Sequence, residues 1–413
     1  MDTKWDLSFA CDIGIVNDHI RTEHIPFLEP FSYSLKGSSL SGSIPVWSIG
    51  WAGNEQYMAI EMELKDVTIQ LANYCETYPR IRSTVNIQYA FAEKTSDKLG
   101  FICKAEARSS FDPTIGAVWV EQADMDASIT NEILMIAYPS LLKQMLIAGE
   151  NNINFVIAEL NEELLKIEGI PVVCSIPAFQ RLGSKDVIAV LCMTEKKTNL
   201  PVRQFDISLL NGHQFGYILK QEVLMKRILL YQVSDILRLK SGSFTCTNEG
   251  CIVNNGKLTI RTIRVGAIDY DIKSDFFNLR FIGDSLDLSV HGACAITGLT
   301  DAYISYSFHA KRQGNFHNGS NPRISFEKIP GENDEFHSEE HIPEWEKIIA
   351  GIFTFGLFTL ITELIMDAIA DETKKLFLNL NLNGKMGGYG ITWSNLKFPF
   401  TDGGFLTNFF MRT

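Results

Sequence analysis

From Met58 the chain alternates with a strict period of two. Met58, Ile60, Met62 and Leu64 fall on one face, with Ala59, Glu61, Glu63 and Lys65 on the other. After Asp66 the phase inverts, and Val67, Ile69 and Leu71 carry the apolar face. That period belongs to a strand with one dry and one wet face. A phase flip without glycine or proline predicts one long strand bulged or bent at Asp66. Alternation returns at Val85, Ile87, Tyr89 and Phe91, at Leu286, Leu288 and Val290, and at Ile304, Tyr306 and Phe308. It returns again at Leu376, Leu378, Leu380 and Leu382, with asparagines at 379, 381 and 383. Half-wet strands of this kind pair antiparallel. Asn255-Gly256 and Asn383-Gly384 are hairpin-turn signals.

Helical periods are fewer and longer. Helices are expected over Ile13–Arg21, over Asn131–Ala148 with Thr130 as cap, and over Ala158–Glu168. Pro139 predicts a kink or break within the second of these. A helix over Phe215–Leu239 places Lys220, Arg227, Ser234 and Arg238 on one narrow stripe. Ile218, Met225, Leu229 and Ile236 stand opposite. So apolar a helix needs cover on more than one side, as a wrapping sheet would supply. The last helix is expected over Pro343–Thr373, after a polar surface linker from Gly331 to His341. Helices do not alternate with single strands, so a doubly wound parallel sheet is not expected. The order fits an α+β fold with long antiparallel sheets and a few long helices. At 413 residues the chain has room for two or three domains, divided here as 1–200 and 201–413, with interleaving allowed.

Lys and Arg total 37 against 49 Asp and Glu, a net charge of −12. Only scattered basic pairs interrupt it, so nucleic acid is not an expected partner. The eight cysteines form no CxxC, and several lie in apolar runs where a thiol packs as a small hydrophobe. Most read as reduced and buried, and Cys246–Cys251 is the one pair close enough for a local disulfide. The N-terminus lacks a signal peptide's basic start and apolar stretch. Synthesis in the cytoplasm is expected, with later release alongside a larger complex. The uncharged run Ile348–Thr362 falls short of the roughly 20 residues of a membrane span.

One stretch has catalytic spacing. His337-Ser338-Glu339-Glu340-His341 matches H-x-x-E-H, in which two histidines one helical turn apart hold zinc and the glutamate acts as base. Its polar setting and the following Pro343 oppose a helix there. His337 and His341 are therefore weak metal candidates, and no cofactor is expected. No nucleophile elbow or phosphate-loop signature occurs. The glycines at 384, 387, 388 and 390 follow a strand and read as a hairpin and bulge. Asn318-Gly319-Ser320 is a formal glycosylation sequon best read as a loop.

The opening Trp5-Asp6-Leu7-Ser8-Phe9-Ala10, followed by Val16-Asn17 in a short amphipathic helix, resembles the family of 47-kDa and OrfX proteins encoded in OrfX-type botulinum neurotoxin gene clusters. The mass of 46.4 kDa agrees. The resemblance implies a tubular lipid-binding (TULIP) fold similar to bactericidal/permeability-increasing protein, in which curved antiparallel strands wrap a long helix. It carries no catalytic residues. It implies a non-enzymatic accessory protein that binds lipid or another hydrophobic ligand, other proteins of its cluster, or both. Ile218, Met225, Leu229 and Ile236 are the candidates to face the interior of such a tube, with ordinary core packing as the alternative. A scaffold with a filled core is the second hypothesis, and a zinc hydrolase using His337, Glu340 and His341 the third.

Overall fold

A computed structural model of the chain describes residues 4–54, 57–95, 98–109, 112, 114–125, 131–149, 155–167, 169–182, 185–204, 210, 212–318, 323–383, 391–393, 402–405 and 409–412. Its strands form three sheets, all with antiparallel pairings. The first holds strands between Leu28 and Asn161 together with Ile391–Trp393. The third holds strands between Phe244 and Asn383. Between them lies a central sheet drawn from the whole chain. Its order is Asp402–Phe405, Phe409–Arg412, Phe215–Leu219, Leu7–Asp12, Lys185–Met193 and Cys174–Leu182.

The long strand expected from Met58 is present as Tyr57–Leu71, paired along its length with Tyr74–Thr95. Asp66 adopts φ +51, and the register with the neighbouring strand Ser38–Asn54 slips between Ser41 and Ser43. The extra residue switches the buried set from Met62 and Leu64 to Val67 and Ile69. The Asn255-Gly256 turn is present, with Gly256 at φ +80, but it makes no hairpin. It joins Ile252–Asn254 to Leu258–Val265, and both pair with successive parts of Ile268–Ile282. Gly384 and the glycines after it lie outside the described residues, as do Gly319 and Ser320 of the sequon.

Each large sheet packs against one long helix. Glu132–Ala148 is capped by Asn131, whose side chain accepts from the amides of Ile133 and Leu134. Thr130 lies outside the described residues. Leu134, Tyr138, Leu141, Leu142, Met145 and Leu146 form its buried stripe. The helix runs through Pro139 without the expected break. The carbonyl that Pro139 leaves without its usual donor belongs to exposed Met135. The helix against the third sheet is Glu344–Asn379, entered from Pro343. Phe358, Ile361, Ile365, Ala368, Ile369, Leu376 and Phe377 form its buried face. This helix absorbs the expected strand at Leu376 and Leu378, leaving only Asn381–Asn383 extended. Leu378 points outward, 69% exposed. No described helix is long and apolar enough to cross a membrane.

Two further expectations are corrected. Gly331–His341 is not all surface linker, because Glu335–His341 is a strand paired with Tyr303–His317. Its side chains are mostly exposed and polar, so apolar periodicity could not betray it. The Ala158–Glu168 segment is a strand, Val156–Asn161, followed by a short helix, Glu162–Ile167. All eight cysteines are free, and Cys75 is exposed.

Candidate functional site

The segment expected as one helix over Phe215–Leu239 divides in two. Phe215–Leu219 is a central-sheet strand with all five residues buried. The helix then occupies residues 221–236, with a π-helical stretch at Leu224–Leu229 between two α-helical pieces. Ile218 therefore shares no helix face with Met225, Leu229 and Ile236. It lies on the opposite side of the central sheet from the main core, in a small cluster with Trp5, Ala10, Leu191 and Phe410. Met225 and Leu229 are fully buried in the main core, and Ile236 packs against its margin. Lys226 and Arg227 pair with Glu195 at 2.6 and 3.1 Å. The bond from Lys226 holds the Glu195 carboxyl below the usual range.

Just beyond this helix, Leu237 and Leu239 meet Phe244, Phe277, Ile369 and Leu376 around an apolar slot of about 20 Å³. That is space for roughly one water molecule. Leu258, Leu288 and Val290 of the sheet and Glu372 and Thr373 of helix Glu344–Asn379 also line the slot.

The H-x-x-E-H motif loses its geometry. On strand Glu335–His341 the two histidines stand about 13 Å apart along the backbone, at roughly 3.3 Å per residue. Glu340 projects from the opposite face. His341 Nε2 lies 2.9 Å from the Ser305 hydroxyl, and its ring stacks on Tyr303 at 4.4 Å. Among the described residues no group of three His, Cys, Asp or Glu could hold a metal ion.

The Trp5-Asp6 opening has a structural task. Trp5 is fully buried, and its Nε1 donates to the Val202 carbonyl at 2.9 Å. Asp6 is 5% exposed, and its Oδ2 accepts from the Thr194 amide at 2.9 Å and from its hydroxyl at 2.8 Å. Strand Leu7–Asp12 is thereby locked beside Lys185–Met193. Asn17, on helix Ile13–Thr22, forms a two-way amide bridge to Ile49: its Nδ2 donates to the Ile49 carbonyl and its Oδ1 accepts from the Ile49 amide, both at 2.8 Å.

Beside Asn17 opens a cleft of about 800 Å³. Asn17, Ile20, Arg21 and His24 form one wall. Three paired strands form the floor, where Val46, Glu63 and Arg82 make one row and Ser48, Glu61 and Thr84 the next. Directly paired residues share a face, so these six side chains point together. Trp47, Met62 and Ser83 point the other way, and the Ser83 hydroxyl meets the Tyr138 hydroxyl at 2.8 Å inside the core. Glu63 is held by Arg80 at 2.6 Å and faces Arg82 at 3.8 Å. Glu61 accepts only a 3.4 Å bond from Ser48 and has no cation within 4 Å among the described residues. The polar halves of these strands read in the sequence as ordinary wet faces. Only the register, set by turns and the Asp66 bulge, brings them to one helix end.

No curated protein matches the sequence at a significant level. Solved structures do. P47 from Clostridium botulinum A2 superposes with a TM-score of 0.73 at 18% identity, covering 99% of this chain and 96% of that one. P47 of Clostridium botulinum E1 gives 0.75 at 16% identity, covering 99% and 98%. The fold is thus shared over nearly the whole length. Residues 180–383, which include the central-sheet strands Lys185–Met193 and Phe215–Leu219, the π-containing helix and the third sheet, match the model of the OrfX-like family described as Protein OrfX2/OrfX3/P47.

Proposed function

We propose that this chain is a non-enzymatic accessory protein of a toxin gene cluster that works by binding, and that it binds other proteins of its cluster. The observation that carries this reading is the filled apolar slot. A site enclosing a lipid-sized ligand needs several hundred Å³; the slot beside Leu237 and Ile369 offers about 20 Å³, and the larger cleft beside Asn17 has a floor of mostly charged and polar side chains. The one motif with catalytic spacing is spread along an edge strand, which favours binding over zinc hydrolysis. Co-expression with the products of the same cluster, followed by size-exclusion chromatography, tests the proposal. A stable complex with at least one of them is the expected outcome. A chain that elutes alone beside every one of them sinks it.

Lipid binding is the second reading. Long antiparallel sheets set against long helices fit a TULIP architecture, and the slot sits where helix and sheet would part to admit an acyl chain. Mass spectrometry of organic extracts from the purified chain decides here. Stoichiometric lipid would favour this reading; a clean extract with no association to liposomes would favour protein partners alone.

A further inference from the structure

Building on the protein-partner reading, we infer that the cleft beside Asn17 receives an extended polypeptide segment of a partner, added as a strand along the edge at Trp47, with a Lys or Arg side chain directed at Glu61.

The edge itself is the first observation. Strand Ser38–Asn54 pairs with Leu28–Leu35 only as far as Ile44, while residues 46–50 remain paired with 59–63 on the other side. Residues 46–50 therefore have a partner strand on one side only. In an antiparallel pair the backbone groups of successive residues turn alternately toward and away from the partner. Asn17 takes both the amide and the carbonyl of Ile49. Those two groups consequently point away from Tyr57–Leu71, and the groups of Trp47, two residues earlier in an unbroken register, point the same way. The Asn17 amide, donating and accepting at one residue, does what a neighbouring strand residue does. It occupies the Ile49 position and leaves the Trp47 position at the margin of the cleft. Main-chain bonds to an exposed sheet edge, combined with pockets for alternate side chains, are an established way to hold a peptide.

The second observation is the chemistry of the floor. A strand laid beside Trp47 sets alternate side chains next to Val46, which is 50% exposed, and Ser48. Ser48 is small and leaves the way open to Glu61 behind it. Arg80 and Arg82 both lie against Glu63, and Arg21 pairs with Asp18. Among the described residues Glu61 is the floor carboxylate with no cation within 4 Å, so a basic side chain completes it. The net charge of −12 also draws a basic partner.

Selection of a phage-displayed random seven-residue library on the intact chain tests the inference, with the cleft-filling variant Ser48→Trp for counter-selection. Enriched peptides are then synthesised and titrated. The expected peptides alternate β-branched residues with Lys or Arg. They should bind about tenfold more weakly to Glu61→Gln, a change on an exposed side chain that leaves the fold intact, and lose binding when one backbone amide is methylated. Absence of any enriched peptide overturns the inference. So do peptides that ignore both Glu61→Gln and methylation at every amide. Cluster proteins that bind wild type, Ser48→Trp and Glu61→Gln equally would overturn the cleft assignment while leaving the broader partner reading intact.

Discussion

Thr194 presents an amide and a hydroxyl to a dry pocket, and the Asp6 carboxylate alone accepts both through one oxygen. Asp6→Ala should therefore destabilise the chain by about 1–3 kcal/mol, the penalty of stranding buried donors. Urea unfolding should show the lower midpoint. Asp66 makes the opposite kind of test, because its backbone matters more than its side chain. At φ +51 a β-branched residue is strained, so Asp66→Val should lose about 1–3 kcal/mol while Asp66→Gly stays near neutral. Equal melting temperatures for the two variants would refute that account. Asp66 was legible in advance because a phase flip in a period-two pattern has few physical causes. Asp6 was legible only as part of a family-like opening, since nothing in six residues says that Thr194 lies beside them.

Elements with one wet and one dry face could be recognised, and those without could not. Phe215–Leu219 is buried on both faces, so its run of apolar residues shows no alternation and merged with the following helix. Glu335–His341 has the reverse problem, being polar nearly throughout, as edge strands often are. Leu376 to Leu382 satisfied period two only because Leu378 is an exposed apolar residue on a helix. The edge strand is tied down by Arg312, which is 8% exposed, donates to both oxygens of Asp334 at 2.6 and 2.8 Å, and lies over the Phe377 ring of the last helix. The Arg312 bonds hold the Asp334 carboxyl below the usual carboxylate range. Its contribution is thus complete above the unfolded value near about 4 and fades as pH falls through the lower folded value. Asp334→Asn should flatten the acid limb of the stability profile below about pH 4 and leave its shape near neutrality unchanged, as read by denaturation across pH. Beside the first sheet, Asn17→Ala should remove about 1–3 kcal/mol by orphaning the Ile49 groups. Hydrogen exchange should then show faster exchange at the Ile49 amide.

For the molecule as a whole, the central sheet is the least legible feature and the most consequential. Leu7–Asp12 bonds to Lys185–Met193 on one side and Phe215–Leu219 on the other, and Phe409–Arg412 closes the next position. No local pattern announces pairings at such separations. The cleft shares that obscurity, since its walls come from a helix end and three strands whose register only the folded chain defines. Met411 is fully buried and receives a bond from the Tyr217 hydroxyl at 3.4 Å. Met411→Ala should destabilise by about 2–5 kcal/mol, the range for emptying a buried site of that size. A loss confined to local fraying, with the global unfolding midpoint unchanged, would show that the last strand is not part of the cooperative core.

That sheet also sets a schedule for synthesis. A ribosome adds about 5–20 residues per second, so strand Leu7–Asp12 waits roughly 10–40 s for Lys185–Met193 to be made. Strand Phe409–Arg412 comes last of all. Until it arrives, Phe215–Leu219 keeps an open edge flanked by apolar residues, the kind of surface through which nascent chains aggregate. Most pairings within the first and third sheets form earlier, but the central sheet between them stays open until Phe409–Arg412 is made. Slowing the final codons should therefore lower the soluble yield far more than slowing those of a hairpin within the first or third sheet.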